Sequence, residues 1–440
     1  MTEIVFPLPL LAEYRGKAWA TPQETCAVFF AYQAPHGRML IHEGGVVPAE
    51  AYATRSEVTA QLTPDYMFEV VQQARKRCAS LILSHSHPAP SDVAFSATDD
   101  RGEAALKPYF EQRLAGLGHF SVLLTRDRLL GREIGAHKAV DIVEIGANIR
   151  RHSMTDQSSA AAISEIFERQ VRAFGAAGQR LIANVKVAIV GLGGIGSIVA
   201  QELAYLGIRH FILVDPKNLT ITNRNRVVGS KATDIGKPKV EIAKRMILGI
   251  NESAQVDSIN DDAANDHVLE QLVDAQFIFL CTDSHTSRAA VSKLCYQFLI
   301  PGIDLGVNIV ARDNRVEHIV GRTQMLAPGL PCLWCCSAIS ADAIRRESMS
   351  LEQQAADPYF TGQGEQQPAV ISLNGTMSSL AVTMFLSAVA GIPGEARYQR
   401  YDGIAGTVHR VSATPDDHCI VCSRRGAFAR GSTRSLLLTG

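Results

Sequence analysis

The stretch VAIVGLGGIGSIVAQELAYLGIRHFILVD, residues 187–215, decides the fold of the C-terminal part of the chain. A short apolar run leads into Gly-x-Gly-x-x-Gly, then into an apolar segment of helical length, then into a second apolar run that ends at Asp215. Strand, turn, helix and strand make a βαβ unit. The pattern therefore predicts a Rossmann-like α/β domain with a mostly parallel sheet.

The glycines of this turn predict a phosphate site. Gly191, Gly193 and Gly196 complete the pattern, and Gly194 lies within it. Glycine lets the backbone approach a phosphate at the N-terminus of a helix, and an acid about twenty residues later can accept bonds from ribose hydroxyls. This pattern alone would also suit an NAD-dependent oxidoreductase, which stays open as an alternative.

The charged residues after Asp215 favour a nucleoside triphosphate with magnesium. Asn223, Arg226 and Lys239 follow the second strand closely, and Asp283 comes directly after a later apolar run. Two cations and an amide near a phosphate loop suit a triphosphate, and a carboxylate at the end of a strand suits Mg²⁺.

Two Cys-x-x-Cys pairs predict a metal site. Cys332 and Cys335 form the first pair, and Cys419 and Cys422 form the second. Four thiolates without an open position indicate a structural, tetrahedral zinc rather than disulfides.

A second metal signal lies in LILSHSHPAPSDVAFSATDD, residues 81–100. His85 and His87 share one face of a strand, and Asp99 on the next helix can supply a third ligand, which leaves a position open as in a catalytic zinc site. Ser96-x-x-Asp99 also fits a capping box for that helix, and this alternative stays open.

This segment resembles the signature of the JAMM (JAB/MPN) metallopeptidases, with Glu24 as the upstream acid. The resemblance implies that His85, His87 and Asp99 bind zinc, that Glu24 is the general base and that Ser96 supports the oxyanion. Eight residues separate His87 from Ser96, whereas the family has seven. Such enzymes cleave peptide or isopeptide bonds after the C-terminus of ubiquitin-like proteins.

Residues 165–422 resemble the ubiquitin-activating-type (ThiF-like) adenylyltransferases. Lys217 stands where that family commonly has an acid, and Arg169 matches an arginine that the family inserts into the partner protomer's site, which implies a homodimer. Cys336, beside a predicted zinc ligand, is the only candidate for a thioester, because the loop at 339–368 contains no cysteine. The resemblance implies phosphate contacts for Gly193, Gly194, Asn223, Arg226 and Lys239, a ribose contact for Asp215 and Mg²⁺ binding for Asp283.

Composition limits the partners. The chain has 43 Lys plus Arg against 44 Asp plus Glu, so no charge excess indicates nucleic acid or an anionic membrane. The N-terminus lacks the basic and apolar regions of a signal peptide. The longest apolar run, residues 380–392, contains Thr383 and Ser387 and suits a buried helix. We therefore expect a cytoplasmic protein.

We expect a JAMM-type domain at 1–145, a linker at 146–163, an adenylyltransferase domain at 164–432 and a tail at 433–440. The expected function is bifunctional. ATP and Mg²⁺ would serve adenylation of the C-terminal glycine of a ubiquitin-like or sulfur-carrier protein, and zinc would serve a peptidase that processes or removes that modifier. A separate conjugating enzyme is a further expected partner. The alternatives are an NAD-dependent oxidoreductase and a catalytically dead binding scaffold.

Overall fold

The computed structural model describes residues 2–89, 93–153, 163–313, 315–350, 352–353 and 368–435. Much of the predicted linker, the end of the predicted tail and half of the loop searched for a thioester cysteine lie outside these residues. The chain forms two compact units, and residues 297–299 and 427–435 belong to the first unit together with residues up to 161. The predicted domain boundaries stay predictions.

The first unit is a mixed α/β structure in which one eight-stranded sheet dominates. Its elements are β1 (Glu3–Pro7), α1 (Leu8–Ala18), β2 (Cys26–Ala34), β3 (Arg38–Val46), β4 (Tyr52–Arg55), β5 (Ala60–Leu62), α2 (Pro64–Arg77), β6 (Ser80–Ser86), α3 (Ala97–Arg113), β7 (Phe120–Leu124), β8 (Leu129–Glu133), β9 (Ala139–Ile145) and β10 (Ile149–His152).

The strands of this sheet follow the order β1-β3-β2-β6-β7-β8-β9-β10, and β1 also pairs with β9, so the sheet closes on itself. Successive side chains of β2 enter two different apolar clusters: Phe29 joins the cluster with Phe6 and Tyr14, and Phe30 joins the cluster with Val70. Because both faces are covered, β2 is a nearly continuous apolar run rather than an alternating one.

Two segments of the first unit differ from the simplest sequence expectation. Residues 149–152, which we assigned to the linker, form β10, and His152 Nε2 lies 2.7 Å from Glu144 Oε1 of β9. Residues 427–435 pack near β2 and β3, where the Phe428 carbonyl lies 2.8 Å from His42 Nδ1 and the Arg430 guanidinium stacks over the Tyr32 ring.

The second unit contains the predicted βαβ pattern. Its elements are α4 (Glu168–Asn184), β11 (Lys186–Val190), α5 (Gly194–Tyr205), β12 (His210–Val214), α6 (Lys239–Ile250), β13 (Gln255–Ile259), α7 (Asp266–Leu272), β14 (Phe277–Leu280), α8 (His285–Gln297), β15 (Gly302–Arg312), β16 (Arg315–Leu326), α9 (Ala341–Glu347), α10 (Ile371–Val389), β17 (Tyr398–Asp402) and β18 (Thr407–Arg410).

The sheet of the second unit has the order β13-β12-β11-β14-β15-β16-β17-β18. Strands β13, β12, β11, β14 and β15 are parallel, and the remaining pairings are antiparallel. Strand order reverses at β11, between β12 and β14, and ligands of open α/β sheets bind at such a switch point, beyond the carboxyl ends of the strands. The Rossmann-like prediction is confirmed.

Helix α10 is the one helix, within the described ranges, that is long and apolar enough to cross a membrane. Half of its apolar window is buried, and the Phe385 ring packs edge-on against Phe277 of β14 with centroids 4.8 Å apart. These contacts are those of a core helix, as expected from the interrupted apolar run.

Candidate active sites

Three predicted zinc ligands of the first unit converge. His85 Nε2 lies 3.2 Å from His87 Nε2 and 3.1 Å from Asp99 Oδ1, and His87 Nε2 lies 3.9 Å from Asp99 Oδ2. Donor atoms from the three residues lie within 4.8 Å of one another. Two imidazole nitrogens and a carboxylate oxygen, facing one point, fit a zinc ion with three protein ligands and one open position.

The pairing of β2 with β6 brings Glu24 to this cluster. Cys26 lies opposite His85 in the antiparallel register, so extending the register by two residues sets Glu24 opposite His87. Glu24 Oε1 is 3.8 Å from His87 Nε2, and Glu24 is only 6% exposed. The carboxylate lies beside the donor atoms and can exchange a proton with a water molecule there.

Ser96 and Asp99 form the capping box at the start of α3. Ser96 Oγ accepts from Asp99 N at 3.2 Å and donates to Asp99 Oδ2 at 2.8 Å, and Ser96 N donates to the same oxygen at 2.6 Å. Burial raises the pKa of Asp99, but hydrogen bonds from His85 and Ser96 outweigh it and hold that pKa well below its usual range. The oxyanion role of Ser96 stays a prediction.

Arg132 braces the segment that carries Asp99, and our sequence analysis did not identify it. Its guanidinium lies 3.9 Å from the centre of the Phe95 ring, and it pairs with Asp100 at 2.8 Å and Glu103 at 2.9 Å. A charged residue directly after the apolar start of β8 was the available signal, because a buried arginine requires partners.

A groove of about 500 Å³ adjoins the metal cluster. It joins the polar site to an apolar wall. Its lining includes Glu24, His85 and Asp99 at the polar end, and Val58, Leu62, Met67 and Leu106 among the apolar side chains.

The glycine loop of the second unit follows β11 and leads into α5. Gly191 has φ +90°, and a Cβ there would lie 2.7 Å from Thr282 N. A Cβ at Gly196 would lie 1.8 Å from the Gly191 carbonyl oxygen, so neither position accepts a side chain. Gly193 has no atom within 4 Å of its Cβ position. This open space at the N-terminus of α5 can receive a phosphate.

Asp215 connects the second strand to this loop. Its carboxylate accepts hydrogen bonds from Leu192 N at 2.7 Å and from Lys217 N at 2.8 Å, and the residue is 4% exposed. A carboxylate has about four acceptor positions, so it can still accept from a ribose hydroxyl.

Charged groups gather around the first turn of α6. Burial lowers the pKa of Lys239, and the nearby cations Lys217 and Arg226 lower it further. The carboxylates of Asp215 and Asp283 oppose this effect. These five groups are therefore close enough to interact. Lys217 Nζ lies 3.5 Å from Asp283 Oδ1 in an exposed pair. The lysine that replaces the family's acid thus faces the carboxylate predicted to hold magnesium.

The remaining predicted residues of this site lie around the same cluster or at the surface. Asn223 accepts a bond from Arg226 N through its carbonyl, at 3.0 Å. Arg169 is exposed on α4. Its insertion into a second protomer stays a prediction.

The four cysteines of the two Cys-x-x-Cys pairs come together. The sulfur atoms of Cys332 and Cys419 are 3.5 Å apart, those of Cys335 and Cys422 are 3.4 Å apart, and those of Cys332 and Cys335 are 3.7 Å apart. A tetrahedron with Zn–S bonds of about 2.3 Å has edges of about 3.8 Å, so the cluster fits zinc with little adjustment. Hydrogen bonding by the Cys422 thiol lowers the pKa of Cys332 to about 6, although burial opposes this.

Cys336 does not have the surroundings of a reactive thiol. Burial raises its pKa, and Gln324 Nε2 donates to its sulfur at 3.3 Å. A thiolate is the nucleophile in thioester formation, and a raised pKa disfavours it.

Residues 167–421 match the ThiF family, and the chain belongs to that family. Residues 7–133 match the prokaryotic homologs of the JAB domain. The predicted fusion of a JAB-type domain with a ThiF-type, Rossmann-like domain is therefore confirmed.

Several curated relatives match part of the chain. Protein HesA of Trichormus variabilis is 29% identical over 163 residues, which are 37% of this chain and 58% of HesA. The sulfur carrier protein ThiS adenylyltransferase of Escherichia coli is 21% identical over 255 residues, 57% of this chain and 90% of the relative. The chain spans about half to two thirds of the length of several relatives that it matches.

A solved structure shares the fold over 59% of the chain. The crystal structure of E. coli MccB with MccA-N7isoASN aligns with a TM-score of 0.50 and 21% identity, covering 59% of this chain and 76% of MccB. At this identity the likeness concerns the fold.

Proposed function

We propose that the protein activates a ubiquitin-like or sulfur-carrier protein by adenylating its C-terminal glycine, and that its JAB-type domain is a zinc peptidase acting on the same modifier. The observation that carries the proposal is the presence on one chain of two sets of groups that suit consecutive reactions. The first set is Glu24, His85, His87 and Asp99, and the second is the glycine loop with Asp215, Arg226, Lys239 and Asp283.

In the adenylation step, a carboxylate oxygen of the modifier attacks the α-phosphorus of ATP. A new P–O bond forms, and the bond from the α-phosphorus to the bridging oxygen of the pyrophosphate breaks. Arg226 and Lys239 would neutralise the charge that grows on the phosphates, and Asp215 would hold the ribose. Mg²⁺, held by Asp283, would add positive charge at the leaving pyrophosphate.

In the peptidase step, Glu24 would take the proton from the water that attacks the scissile carbonyl and would pass it to the leaving amine. Zinc held by His85, His87 and Asp99 would supply Lewis acidity. The groove beside the cluster offers an apolar wall to an extended C-terminal tail.

The two steps suit each other chemically. A modifier made with a C-terminal extension has no free glycine carboxylate, and hydrolysis after that glycine releases the group that the adenylation site consumes. The name of the E. coli relative, a sulfur carrier protein adenylyltransferase, supports a partner of this class. We further propose a cytoplasmic homodimer.

The test is ATP–pyrophosphate exchange with a candidate ubiquitin-like protein, supplied either with a free glycine C-terminus or with a short extension. The wild type and Glu24→Gln are compared. Exchange with the free form by both enzymes, and with the extended form by the wild type alone, supports both activities. Binding of the modifier without exchange by any form would favour a dead scaffold, and tight nicotinamide binding without pyrophosphate chemistry would favour the oxidoreductase.

A further inference from the structure

Asn374, on the second turn of α10, lies directly against the glycine loop. A Cβ at Gly194 would be only 2.2 Å from Asn374 Nδ2, and 3.2 Å from the Arg226 methylene carbons. The amide of Asn374 and the stem of Arg226 therefore flank the first residue of α5.

The Asn374 amide makes no hydrogen bond to the part of the chain that the structure describes. Asn374 is 5% exposed, while its backbone groups bond to Val370 and Ser378. Its amide atoms are not among the fully enclosed polar atoms that lack a partner, so part of the amide surface is still accessible. The amide lies at the N-terminus of α5, beside the open space at Gly193, where free N–H groups and the helix dipole attract an anion.

Packing of α10 on α5 holds the amide in this position. Ser378, one turn after Asn374, is fully buried and donates from Oγ to the Ile195 carbonyl at 3.2 Å. A Cβ at Gly375 would lie 4.0 Å from the Ile198 side chain, an ordinary van der Waals contact between α10 and α5. The helix that carries Asn374 is thus held against α5 before any ligand arrives, which reduces the entropy lost on binding.

We propose that Asn374 is a further phosphate-binding residue: its amide donates a hydrogen bond to a phosphate oxygen of the nucleotide at the glycine loop. The inference rests on the proposed function, because it names an additional group of the same ATP site. It also makes α10, which follows the glycine loop by about 180 residues, part of that site.

The test compares the dissociation constants of ATP and adenosine for full-length wild type, Asn374→Asp and Asn374→Leu. Both variants keep about the same side-chain volume but lose the donor, and the aspartate adds a charge that repels phosphate. We expect ATP affinity to fall about tenfold or more in both, the aspartate being the weaker binder, with adenosine affinity unchanged. Ser379 lies on the same helix as Asn374, and its hydroxyl bonds to Glu202 of α5 at the surface. Ser379→Ala is therefore the matched control, and we expect its ATP affinity to be unchanged.

Two results would overturn the inference while leaving the proposed function intact. One is ATP affinity within twofold of wild type in Asn374→Asp. The other is an equal loss of ATP and adenosine affinity together with a lower melting temperature, which would assign Asn374 to helix packing alone. Absence of ATP binding by the wild type itself would overturn the proposed function and, with it, this inference.

Discussion

Glu24 Oε1 lies 3.8 Å from His87 Nε2, although Glu24 comes just before β2 and His87 comes just after β6. The antiparallel pairing of Cys26 with His85 brings them together. Glu24 lies two residues before Cys26 and His87 lies two residues after His85, so the two residues stand opposite each other. Ser86 N donates to the Thr25 carbonyl at 3.0 Å and Thr25 N donates to Ser86 Oγ at 2.9 Å, so the pairing continues up to the site. The sheet thus positions the acid relative to the ligands.

This relationship predicts that Glu24→Gln separates metal binding from hydrolysis. Glutamine keeps the size of the side chain but cannot accept the proton of the attacking water, so cleavage of an extended modifier should fall about 10²- to 10⁴-fold. Zinc content should stay at the wild-type level, because Glu24 is not one of the three converging donors. The measurements are cleavage rates and metal analysis of the purified chain.

His87→Ala serves as the companion variant. It should lose both cleavage and the metal of the first unit. If Glu24→Gln cleaved at the wild-type rate, another group would have to be the base.

The cysteine cluster predicts a second zinc with a structural role. Wild type should contain two zinc ions per chain, and Cys419→Ser should contain one, because three thiolates and a hydroxyl form a weaker site. If the free energy of unfolding of the second unit falls by about 3 kcal/mol, its melting temperature should fall by roughly 6–12 °C. Metal analysis and calorimetry check this prediction. Cys78→Ser, at an exposed cysteine, should change neither value.

The Lys217–Asp283 pair predicts an unusual magnesium response. Removing a positive charge 3.5 Å from the predicted magnesium ligand should strengthen cation binding, but only modestly, because both side chains are exposed. Lys217→Ala should therefore reduce the Mg²⁺ concentration for half-maximal pyrophosphate exchange by about two- to fivefold. Lys76→Ala removes an exposed lysine of the first unit and is the control for net charge. An unchanged or increased Mg²⁺ requirement in Lys217→Ala would contradict this prediction.

Glu144 predicts a pH-dependent stability of the first unit. Burial raises its pKa, but hydrogen bonds from His152 and Arg15 outweigh it and lower the pKa to about 2. A carboxyl whose folded pKa lies below its unfolded value, about 4.3, stabilises the fold above that value and loses its contribution as the pH falls toward 2. Glu144→Gln should therefore cost about 2–3 kcal/mol at pH 7 and roughly half as much at pH 3, which lies between the two pKa values.

Hydrogen exchange of the β9 amides at the two pH values measures this difference within the full chain. Glu13→Gln is the control, because the Glu13–Lys17 pair is more than half exposed and should contribute little at either pH. An equal cost of Glu144→Gln at both pH values would show that the charge of Glu144 does not contribute.

Patterns carried by short segments were sufficient for several parts of this protein. The glycine loop at 191–196 was predictable because positive φ and the close approach of Thr282 exclude side chains. The alternation that joins His85 to His87, and the capping box of Ser96 with Asp99, follow from strand and helix geometry within a few residues. The Cys-x-x-Cys pairs likewise indicated a metal from spacing alone.

Tertiary structure decided what these segments meet. Arg132 against Phe95, Asn374 against Gly194 and Lys217 against Asp283 join residues that no local period relates. β10 lies in the segment that we assigned to the linker; it pairs with β9, and its His152 contacts the buried Glu144. The sequence by itself determined the elements and the chemical types of the two sites, since backbone sterics and side-chain periodicity act within a few residues. Strand register and helix packing act across the whole chain, and they decided which groups face one another.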